Sequence, residues 1–395
     1  MEKVANQMHV DINSCFASIE QLANPLLQGK PVAVAAYKND NAVILAASRE
    51  AKLLGIKTGT KVGEAKKICP KIVVLPPDTK KYRDINIKLK NVLSCFCGSV
   101  VAKSIDEFTL NFNNSQEKDL EKVAIKIKEK IANNIGGWLT VSIGIGPNRF
   151  LAKTASNLQK PDGLVIINSE NFENIYKGLD LQKLHGINWR TKLRLQINGV
   201  NDVWDFYLAD INKLKSIFHS IMANYWYYRL RGIEVDGKDN LIEKTYSGMF
   251  SLKVRAKNKE ELLPIIYQIA VKISKKLLKR KRKAGKLILI LKCKLGWWQK
   301  IIKLSQALDG SFEIYKKTSI KVDDNFNDEV SKIILIACEP EIRNGRQIDI
   351  FGVGENYLKI DKGMKEVNSK YGEGTIMPGS CFWGQKVGDF IAFGK

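Results

Sequence analysis

Three acidic residues at two places in the chain could together hold divalent cations. Asp11 lies in the apolar run MHVDINSCF, and the adjacent pair Asp106 and Glu107 lies in KSIDEFTLNF. Three carboxylates gathered in one place repel one another unless cations neutralise them, and hard oxygen ligands suit Mg²⁺. Two Mg²⁺ ions about 3.5–4 Å apart stabilise the attacking and leaving oxygens of an in-line phosphoryl displacement. The acids therefore indicate phosphoryl transfer, although an isolated Asp-Glu pair is more often a solvated surface turn.

Both acidic segments have the pattern of β-strands, which would place the acids on a sheet. Apolar residues alternate from Met8 to Ile12 and again from Phe108 to Phe112. Successive side chains of a regular strand point to opposite faces, so a regular strand over 104–112 cannot direct Asp106 and Glu107 at one pair of ions. We therefore predict that residues 104–107 (SIDE) form a tight turn or a strand end.

Five stretches resemble the successive signatures of one family. They are HVDINSCFASIEQLANP, AVILAASREAKLLGIKTG, KSIDEF, VSIGIGPNRFLAKTASNLQKPDG and GTIM. In order and spacing they resemble the Y-family, or translesion, DNA polymerases of the polymerase IV and mutagenesis-polymerase type. The resemblance is close from Val10 to about residue 235 and looser through the C-terminal third. It implies an α+β right-hand polymerase with a palm, small fingers, a helical thumb and a C-terminal α+β little finger.

The element pattern and the resemblance together predict the domains. We expect a palm at 1–22 and 81–168, fingers at 23–80, a thumb at 169–232, a linker at 233–243, a little finger at 244–355 and an extension at 356–395. The palm is predicted to be a sheet with helices on one face. In the thumb, residues 184–188 (LHGIN) resemble a helix-hairpin-helix, with Gly186 beside DNA phosphates. A plain helical connector is the alternative, because Asn188 stands where a second glycine is usual.

Length, charge and cysteine content limit the class of protein to which the chain can belong. The chain has 395 residues, of which 45% are hydrophobic, so we expect two to four folded units. Its net charge of +23 indicates a polyanionic partner. No long apolar run or N-terminal signal core is present, which favours the cytoplasm, and nucleic acid over a membrane. Seven scattered cysteines and three isolated histidines favour reduced thiols and no zinc site.

The densest basic segment is the run KRKRK. Residues 244–355 hold 24 Lys or Arg against 12 Asp or Glu, and this run is Lys279, Arg280, Lys281, Arg282 and Lys283. A charge run is usually a solvated face, or a localisation tract in nucleated cells. Because this run lies between a predicted helix and a predicted strand of a basic domain, we favour contact with the DNA phosphate backbone.

The resemblance assigns roles to the acids. It implies that Asp11 and Asp106 ligate two Mg²⁺ ions and that the Ile12 carbonyl helps to hold the nucleotide-side ion. Glu107 would lie beside the primer-side ion and help to deprotonate or orient the primer 3′-hydroxyl. Phosphoryl transfer asks little else of the protein, because positioning and charge neutralisation supply most of the catalysis.

The resemblance also implies a nucleotide site. Phe16 would be the aromatic steric gate under the incoming sugar, an ordinary core phenylalanine being the alternative. Arg49, Lys52 and Lys160 would bind the triphosphate, although the family more often has Tyr and Arg at the first two positions. Asn13 stands where the family commonly has Asp, and we expect its side chain to matter little.

The glycines of SIGIGPNRFLAK lack the third glycine of a dinucleotide fingerprint. We expect Gly144 and Gly146 to end a palm strand so that the DNA-binding residues Asn148, Arg149 and Lys153 approach the template-primer backbone.

The expected function is template-directed DNA synthesis past lesions, with low fidelity and without proofreading. Primer-template DNA and a deoxynucleoside triphosphate are the expected partners of a monomer, with a sliding clamp or a recombinase filament as recruiting partners that the sequence leaves open. Gln385 and Phe390 only weakly resemble a clamp peptide, which we do not expect here. A non-catalytic DNA-binding scaffold and a palm-type nucleotidyl cyclase are the alternatives. Retention of three acids in a basic protein disfavours the first, and the little-finger and hairpin segments disfavour the second.

Overall fold

The computed structural model describes residues 5–113, 119–236, 244–323, 326–342, 353–372 and 374–381. The chain divides into two compact units, Met1–Asp239 with Asp389–Lys395, and Asn240–Gly388. This division falls inside the predicted linker 233–243, of which 237–243 lie outside the described residues, as do Gln385 and Phe390. In the described part of the chain, no helix combines the length and the apolar character needed to cross a membrane.

The first unit alternates strands and helices. Its strands are β1 (Gln7–Ile12), β2 (Val32–Ala35), β3 (Ile44–Ala47), β4 (Val73–Leu75), β5 (Val100–Ala102), β6 (Glu107–Asn111), β7 (Val141–Gly146) and β8 (Leu164–Ile166). Its helices are α1 (Cys15–Ala23), α2 (Arg49–Leu53), α3 (Val62–Ile68), α4 (Thr79–Ser94), α5 (Leu120–Asn134), α6 (Arg149–Leu158), α7 (Phe172–Tyr176), α8 (Trp189–Ile197), α9 (Val203–Leu208), α10 (Ile211–Phe218) and α11 (Met222–Leu230).

A five-stranded sheet in the order β5-β6-β1-β7-β8 carries the candidate site. One face packs on α4 and α5 through an apolar core that includes Met8, Val10 and Ile12. The intervening residues of β1, Gln7, His9 and Asp11, point to the other face, since side chains alternate along a strand. Asp11 is thereby fixed at one end of a central, fully buried strand.

Helix α6 lies on the face of this sheet opposite α4 and α5, against β7 and β1. A Cβ atom at Gly144 would lie 2.1 Å from the Ala152 carbonyl oxygen, and one at Gly146 would lie 2.8 Å from the Ala152 nitrogen. Glycine is therefore needed at both positions for the backbone of the helix to approach the strand. The prediction of helices on one face only was wrong, and so was the view of Gly144 as the end of the strand, because β7 continues to Gly146.

Two smaller groups of elements complete the first unit. Strands β3, β2 and β4 form a three-stranded sheet with its own small core, which includes Ala33, Ile44 and Val62. Helices α7 to α11 surround a second core, in which Tyr176, Phe206 and Trp226 are buried.

In its described residues, the second unit has a four-stranded antiparallel sheet and three α-helices. Its elements are β9 (Thr245–Asn258), α12 (Lys259–Lys279), β10 (Arg282–Lys292), β11 (Trp297–Leu308), α13 (Ser311–Ser319), β12 (Asn327–Ile342) and α14 (Val353–Tyr371), with the strand order β11-β10-β12-β9. Leu287, Leu289 and Leu291 are fully buried, whereas Ile288 and Ile290 between them are partly exposed. One face of the sheet therefore forms the core and the other carries mixed apolar and basic side chains.

Candidate active site

The strand pairing brings two of the predicted acids together. Asp11 in β1 and Glu107 in β6 are direct partners in the antiparallel register. Asp106 precedes β6, and its carbonyl oxygen accepts a 2.9 Å hydrogen bond from the Ile12 backbone nitrogen. Residues 103–106 form the turn between β5 and β6, so the predicted break in strand regularity is confirmed. The strand itself begins at Glu107.

A cavity of about 550 Å³ opens beside these acids. Seven of the residues predicted to hold metal or nucleotide line it, namely Asp11, Ile12, Phe16, Arg49, Lys52, Asp106 and Lys160. Two acids, one aromatic ring and three basic side chains thus meet in one space. Glu107 is not among the residues that line it.

Asp11 is the most buried of the three acids, with 8% of its surface exposed. Burial raises its pKa above the ordinary value, and the charges of Asp106 and Glu107 add to the rise. Lys160 opposes this rise, because its ammonium lies 2.8 Å from Asp11 Oδ1. The carboxylate is therefore in a position where additional positive charge is favourable.

Glu107 is held by a lysine from α6. Lys153 Nζ donates to both carboxylate oxygens, at 2.9 and 2.8 Å. Burial alone would raise the pKa of Glu107, but the hydrogen bonds and the charge of Lys153 outweigh it and the pKa is lowered. The sequence suggested that Lys153 binds the template-primer backbone, whereas in the structure it fixes an acid of the site.

Asp106 is half-buried and has a local partner. The Ser104 hydroxyl donates to Asp106 Oδ1 at 2.5 Å. Among the described residues, the one group of donors spaced for a single ion is His9, Asp11 and Glu107, whose ligand atoms all lie within 4.8 Å of one another. Asp11 therefore belongs to both groups. It lines the cavity together with Asp106, and it belongs to the donor group together with Glu107.

His9 is a residue of the site that the sequence analysis missed. It is 1% exposed and lies two residues before Asp11 on the same face of β1. Burial, together with Lys153 and Lys160, lowers its pKa to about 3 against the opposing effect of Glu107, so the imidazole is neutral at pH 7. The sequence could have indicated His9, because it lies in the apolar run HVDIN close to a predicted metal ligand. A polar residue that is buried there is expected to have a bonding partner.

Asn13 is a second missed residue. Its Oδ1 accepts from the Asp162 backbone nitrogen at 2.8 Å and from the Thr140 hydroxyl at 3.0 Å, and its Nδ2 donates to the Ser142 hydroxyl at 2.9 Å. These bonds tie the loop that carries Lys160 to the palm sheet. The sequence analysis gave this side chain no role, whereas in the structure it makes three hydrogen bonds.

The other two predicted phosphate ligands lie on α2. Arg49 begins this helix and is exposed, and Lys52 donates to the Ser14 hydroxyl at 2.8 Å. Burial lowers the pKa of Lys52, Lys160 lowers it further, and Asp11 raises it. The mutual repulsion of Lys52 and Lys160 indicates a place where an anion is favourable.

Phe16 lies on α1 and faces the cavity. Its ring stacks on Tyr82 with centroids 4.4 Å apart and planes 10° apart. The Tyr82 hydroxyl donates to Glu20 Oε1 at 2.9 Å, and Lys81 pairs with the same carboxylate at 2.6 Å. A half-buried ring that is supported on one side and open on the other has the arrangement of a rigid wall.

Of the predicted DNA-binding residues, Asn148 is used inside the protein and Arg149 has an acidic neighbour. Asn148 is 1% exposed, caps α6 and donates to the carbonyl oxygens of Arg229 and Ile233 at 2.9 and 3.0 Å. The Arg149 side chain lies 4.0 Å from Glu234. This geometry gives Asn148 a structural role in place of the predicted DNA contact.

The hairpin segment is exposed around Gly186. Gly186 adopts a left-handed φ of +98°, and Asn188 caps α8 by accepting from the Thr191 nitrogen at 2.9 Å. Asn188 has a φ of −90°, so no glycine is required at this position. The departure from the usual hairpin pattern is therefore accommodated by a helix cap.

In the second unit, the basic run crosses from α12 to β10. Lys279, Arg280 and Lys281 are exposed, and Arg282 is half-buried. Lys283 is only 9% exposed, which disfavours the phosphate contact that the sequence suggested for it.

Comparison with known protein sequences identifies relatives over most of the chain. A sequence model of the impB/mucB/samB family matches residues 10–157. The DNA polymerase IV of Clostridium perfringens (strain ATCC 13124) is 30% identical over 273 residues, which cover 68% of this chain and 75% of that protein. DNA polymerase IV 1 of Bacillus subtilis is 28% identical over 386 residues, covering 94% and 92% of the two chains.

Solved structures share the fold. A Y-family DNA polymerase chimera superposes with a TM-score of 0.73 and 23% identity, covering 85% of this chain and 99% of that chain. The Dbh DNA polymerase in an insertion ternary complex gives a TM-score of 0.60 with the same identity and coverage. The matched segment 10–157 contains all three acids of the sheet. On the extent and identity of the sequence matches, the chain belongs to the Y-family of DNA polymerases.

Proposed function

We propose that this protein is a template-directed DNA polymerase of the lesion-bypass class. It adds deoxynucleotides to a primer 3′ end by phosphoryl transfer at the cavity beside Asp11 and Asp106. The observation that carries the proposal is this cavity itself, where acids for cations, basic groups for a triphosphate and an aromatic wall for a sugar line one space of about 550 Å³. Its volume lies in the range of small-molecule sites, about 300–1,000 Å³.

The donor set fits divalent cations. Asp11, Asp106, Glu107 and the Ile12 carbonyl would hold two Mg²⁺ ions, and the raised pKa of buried Asp11 is the electrostatic sign that cations are favourable there. Two Mg²⁺ ions, when bound, neutralise the charge that develops on the phosphoryl oxygens.

The side chains of the protein position the reactants. Lys153 holds the Glu107 carboxylate by two hydrogen bonds, and Glu107 would deprotonate or orient the primer 3′-hydroxyl. Lys160, paired with Asp11 at 2.8 Å, lines the cavity and exchanges this partner for the triphosphate when a nucleotide enters. Arg49 and Lys52 bind the same phosphates, Arg49 by its two-pronged guanidinium and Lys52 as a point charge.

Phe16 selects the sugar. Its ring cannot retreat, because it is stacked on the buried Tyr82, so a 2′-hydroxyl meets the ring face. A fingers segment of modest size, residues 23–80, encloses the new base pair loosely, and from this we expect low fidelity, tolerance of damaged templates and no proofreading.

DNA binding is assigned to half-buried Arg149 and to exposed surfaces of the thumb and of the second unit. We propose that Arg149, the backbone around Gly186 and the exposed part of the run Lys279–Arg282 contact phosphates of primer-template DNA. The protein would act as a cytoplasmic monomer, and a sliding clamp or a recombinase filament remains a candidate recruiting partner.

Primer extension tests the proposal. Purified protein with Mg²⁺, a primer, the four deoxynucleotides and either an undamaged template or one with an abasic site is expected to extend the primer on both. DNA binding without extension would instead favour the scaffold, and cyclic nucleotide formation without a primer would favour the cyclase. The Asp106→Ala variant serves as the control for contaminating polymerase.

A further inference from the structure

His9 is buried beside the acids, in a place where no described residue is its hydrogen-bonding partner. Neither ring nitrogen has one among the described residues, although the side chain is 1% exposed. Its neighbours in register are Thr109 in β6 and Gly144 in β7. Buried polar atoms in native proteins are almost always paired with protein, water or an ion, so this imidazole is expected to bind a group other than the described residues, such as an ion.

The acids are close enough to supply the rest of a coordination shell. One nitrogen of His9, one oxygen of Asp11 and one oxygen of Glu107 all lie within 4.8 Å of one another. Donors bound to one first-row ion at about 2.0–2.2 Å are separated by at most about twice that length. A small movement of the side chains therefore brings all three onto a single ion.

We propose that His9, Asp11 and Glu107 form a mixed nitrogen and oxygen site that takes a first-row transition ion such as Mn²⁺. The inference deepens the proposed function and rests on it for the role of the ion. Imidazole suits transition ions, whereas Mg²⁺ prefers oxygen ligands and dehydrates reluctantly. His9 thus gives this centre a preference for transition ions over Mg²⁺ that carboxylates alone would not give.

The two lysines at the site are displaceable. Lys160 and Lys153 neutralise Asp11 and Glu107 through flexible side chains that are 36% and 21% exposed. Both ammonium groups can move toward solvent when a divalent ion takes over the neutralisation of the acids. The site is therefore accessible to an ion in the full chain without any change of the strands.

Electron spin echo spectroscopy of Mn²⁺ tests the proposal without DNA or nucleotide. The full-length protein with substoichiometric Mn²⁺ is expected to show modulation from a directly bound ¹⁴N nucleus. The chain has only three histidines, so assignment by substitution is direct. His9→Phe and His9→Gln are expected to abolish the modulation, and His219→Asn, at a left-handed helix end that Asn tolerates, is expected to keep it.

Affinity for two metals gives an independent readout. In calorimetric titrations His9→Gln is expected to weaken Mn²⁺ binding by about tenfold or more while Mg²⁺ affinity stays within about twofold. Absence of ¹⁴N modulation in the wild type, its retention in both His9 variants, or equal losses for Mn²⁺ and Mg²⁺ would each overturn the proposal. Because primer extension is not measured, failure of the metal site and failure of the polymerase assignment are separate results.

Discussion

The acid cluster of the first unit and the basic run of the second unit are both charged, but they are built in opposite ways. Each acid has its own partner at hydrogen-bonding distance: Lys160 on Asp11, Lys153 on Glu107 and Ser104 on Asp106. The basic run lies at the end of α12, where Lys279, Arg280 and Lys281 are exposed to solvent.

The acid cluster acts through the positions of its side chains, whereas the basic run acts through its total charge. Desolvated charges interact strongly at short range, so the loss of one leaves its partner uncompensated. Exposed charges are screened beyond about 10 Å at 0.1 M salt and act through their sum. Substitutions in the acid cluster should therefore have large effects on primer extension that depend weakly on salt. Substitutions in the basic run should have small effects on DNA affinity that depend strongly on salt.

The largest effect is expected from the acids. Asp106→Ala and Glu107→Ala should each lower the primer-extension rate by about 10³-fold or more, because each removes charge that no neighbour replaces. Binding of primer-template DNA, measured by fluorescence anisotropy, should be largely retained. Asp84→Ala, which removes an exposed acid from α4, is the matched control and should extend normally. Extension at a near-normal rate by either site variant would refute the assigned roles.

The next effect is on sugar selection. Phe16→Ala should raise ribonucleotide incorporation relative to deoxynucleotide incorporation by about 10²-fold, because the wall against the 2′-hydroxyl is removed. Single-nucleotide insertion with both nucleotides measures this ratio. Phe218→Ala is the control, since Phe218 is also half-buried and stacked on a buried ring, that of Phe206. If sugar discrimination were unchanged in Phe16→Ala, the residue would be an ordinary packing residue.

Local pattern was enough to predict the segments that carry the acids. Alternation of apolar residues located the central strand, and the need for two acids on one site predicted the turn before Glu107. The helix α6 was missed even though Asn148 is a cap residue in front of an amphipathic run, a usual sign of a helix start. Gly144 and Gly146 within an apolar strand were the further signal of a helix packed closely on it.

Other features were out of reach because they depend on residues far apart in the chain. Asn13 meets Ser142 and the backbone of Asp162, which are separated from it by 129 and 149 positions. Lys153 reaches Glu107 only because α6 packs on β7. A single sequence carries no information on which residues pair over such separations. The hydrogen bonds from Lys153 to Glu107 are therefore seen only in the three-dimensional structure.

Asn13 is a neutral residue beside the acid cluster, and its substitution tests whether its hydrogen bonds position the loop that carries Lys160. Asn13→Ala should raise the KM for the incoming nucleotide by about tenfold with a smaller change in kcat, because the loop that carries Lys160 loses its hydrogen bond from the Asp162 nitrogen to Asn13, and Asn13 loses its bonds to Thr140 and Ser142 of the sheet. Asn13→Asp keeps both acceptor bonds and can accept from the Ser142 hydroxyl, so it should restore most of the affinity. Steady-state insertion kinetics measure both parameters. Equal values for the Ala and Asp variants would contradict a positioning role.

The smallest single effects are expected in the basic run, and they should appear mainly as a change in salt dependence. Replacing Lys279, Arg280 or Lys281 by Gln should weaken binding of primer-template DNA only slightly at moderate salt. The slope of log K against log salt concentration should become shallower by about 0.9 for each phosphate that the variant no longer neutralises. Lys362→Gln, an exposed lysine on α14 of the same unit, is the control and should leave the slope unchanged. An unchanged slope in a variant that carries Gln at all three positions would mean that this run is only a solvated face. The acid variants, by contrast, should keep the wild-type slope, because they remove no cation that neutralises a DNA phosphate.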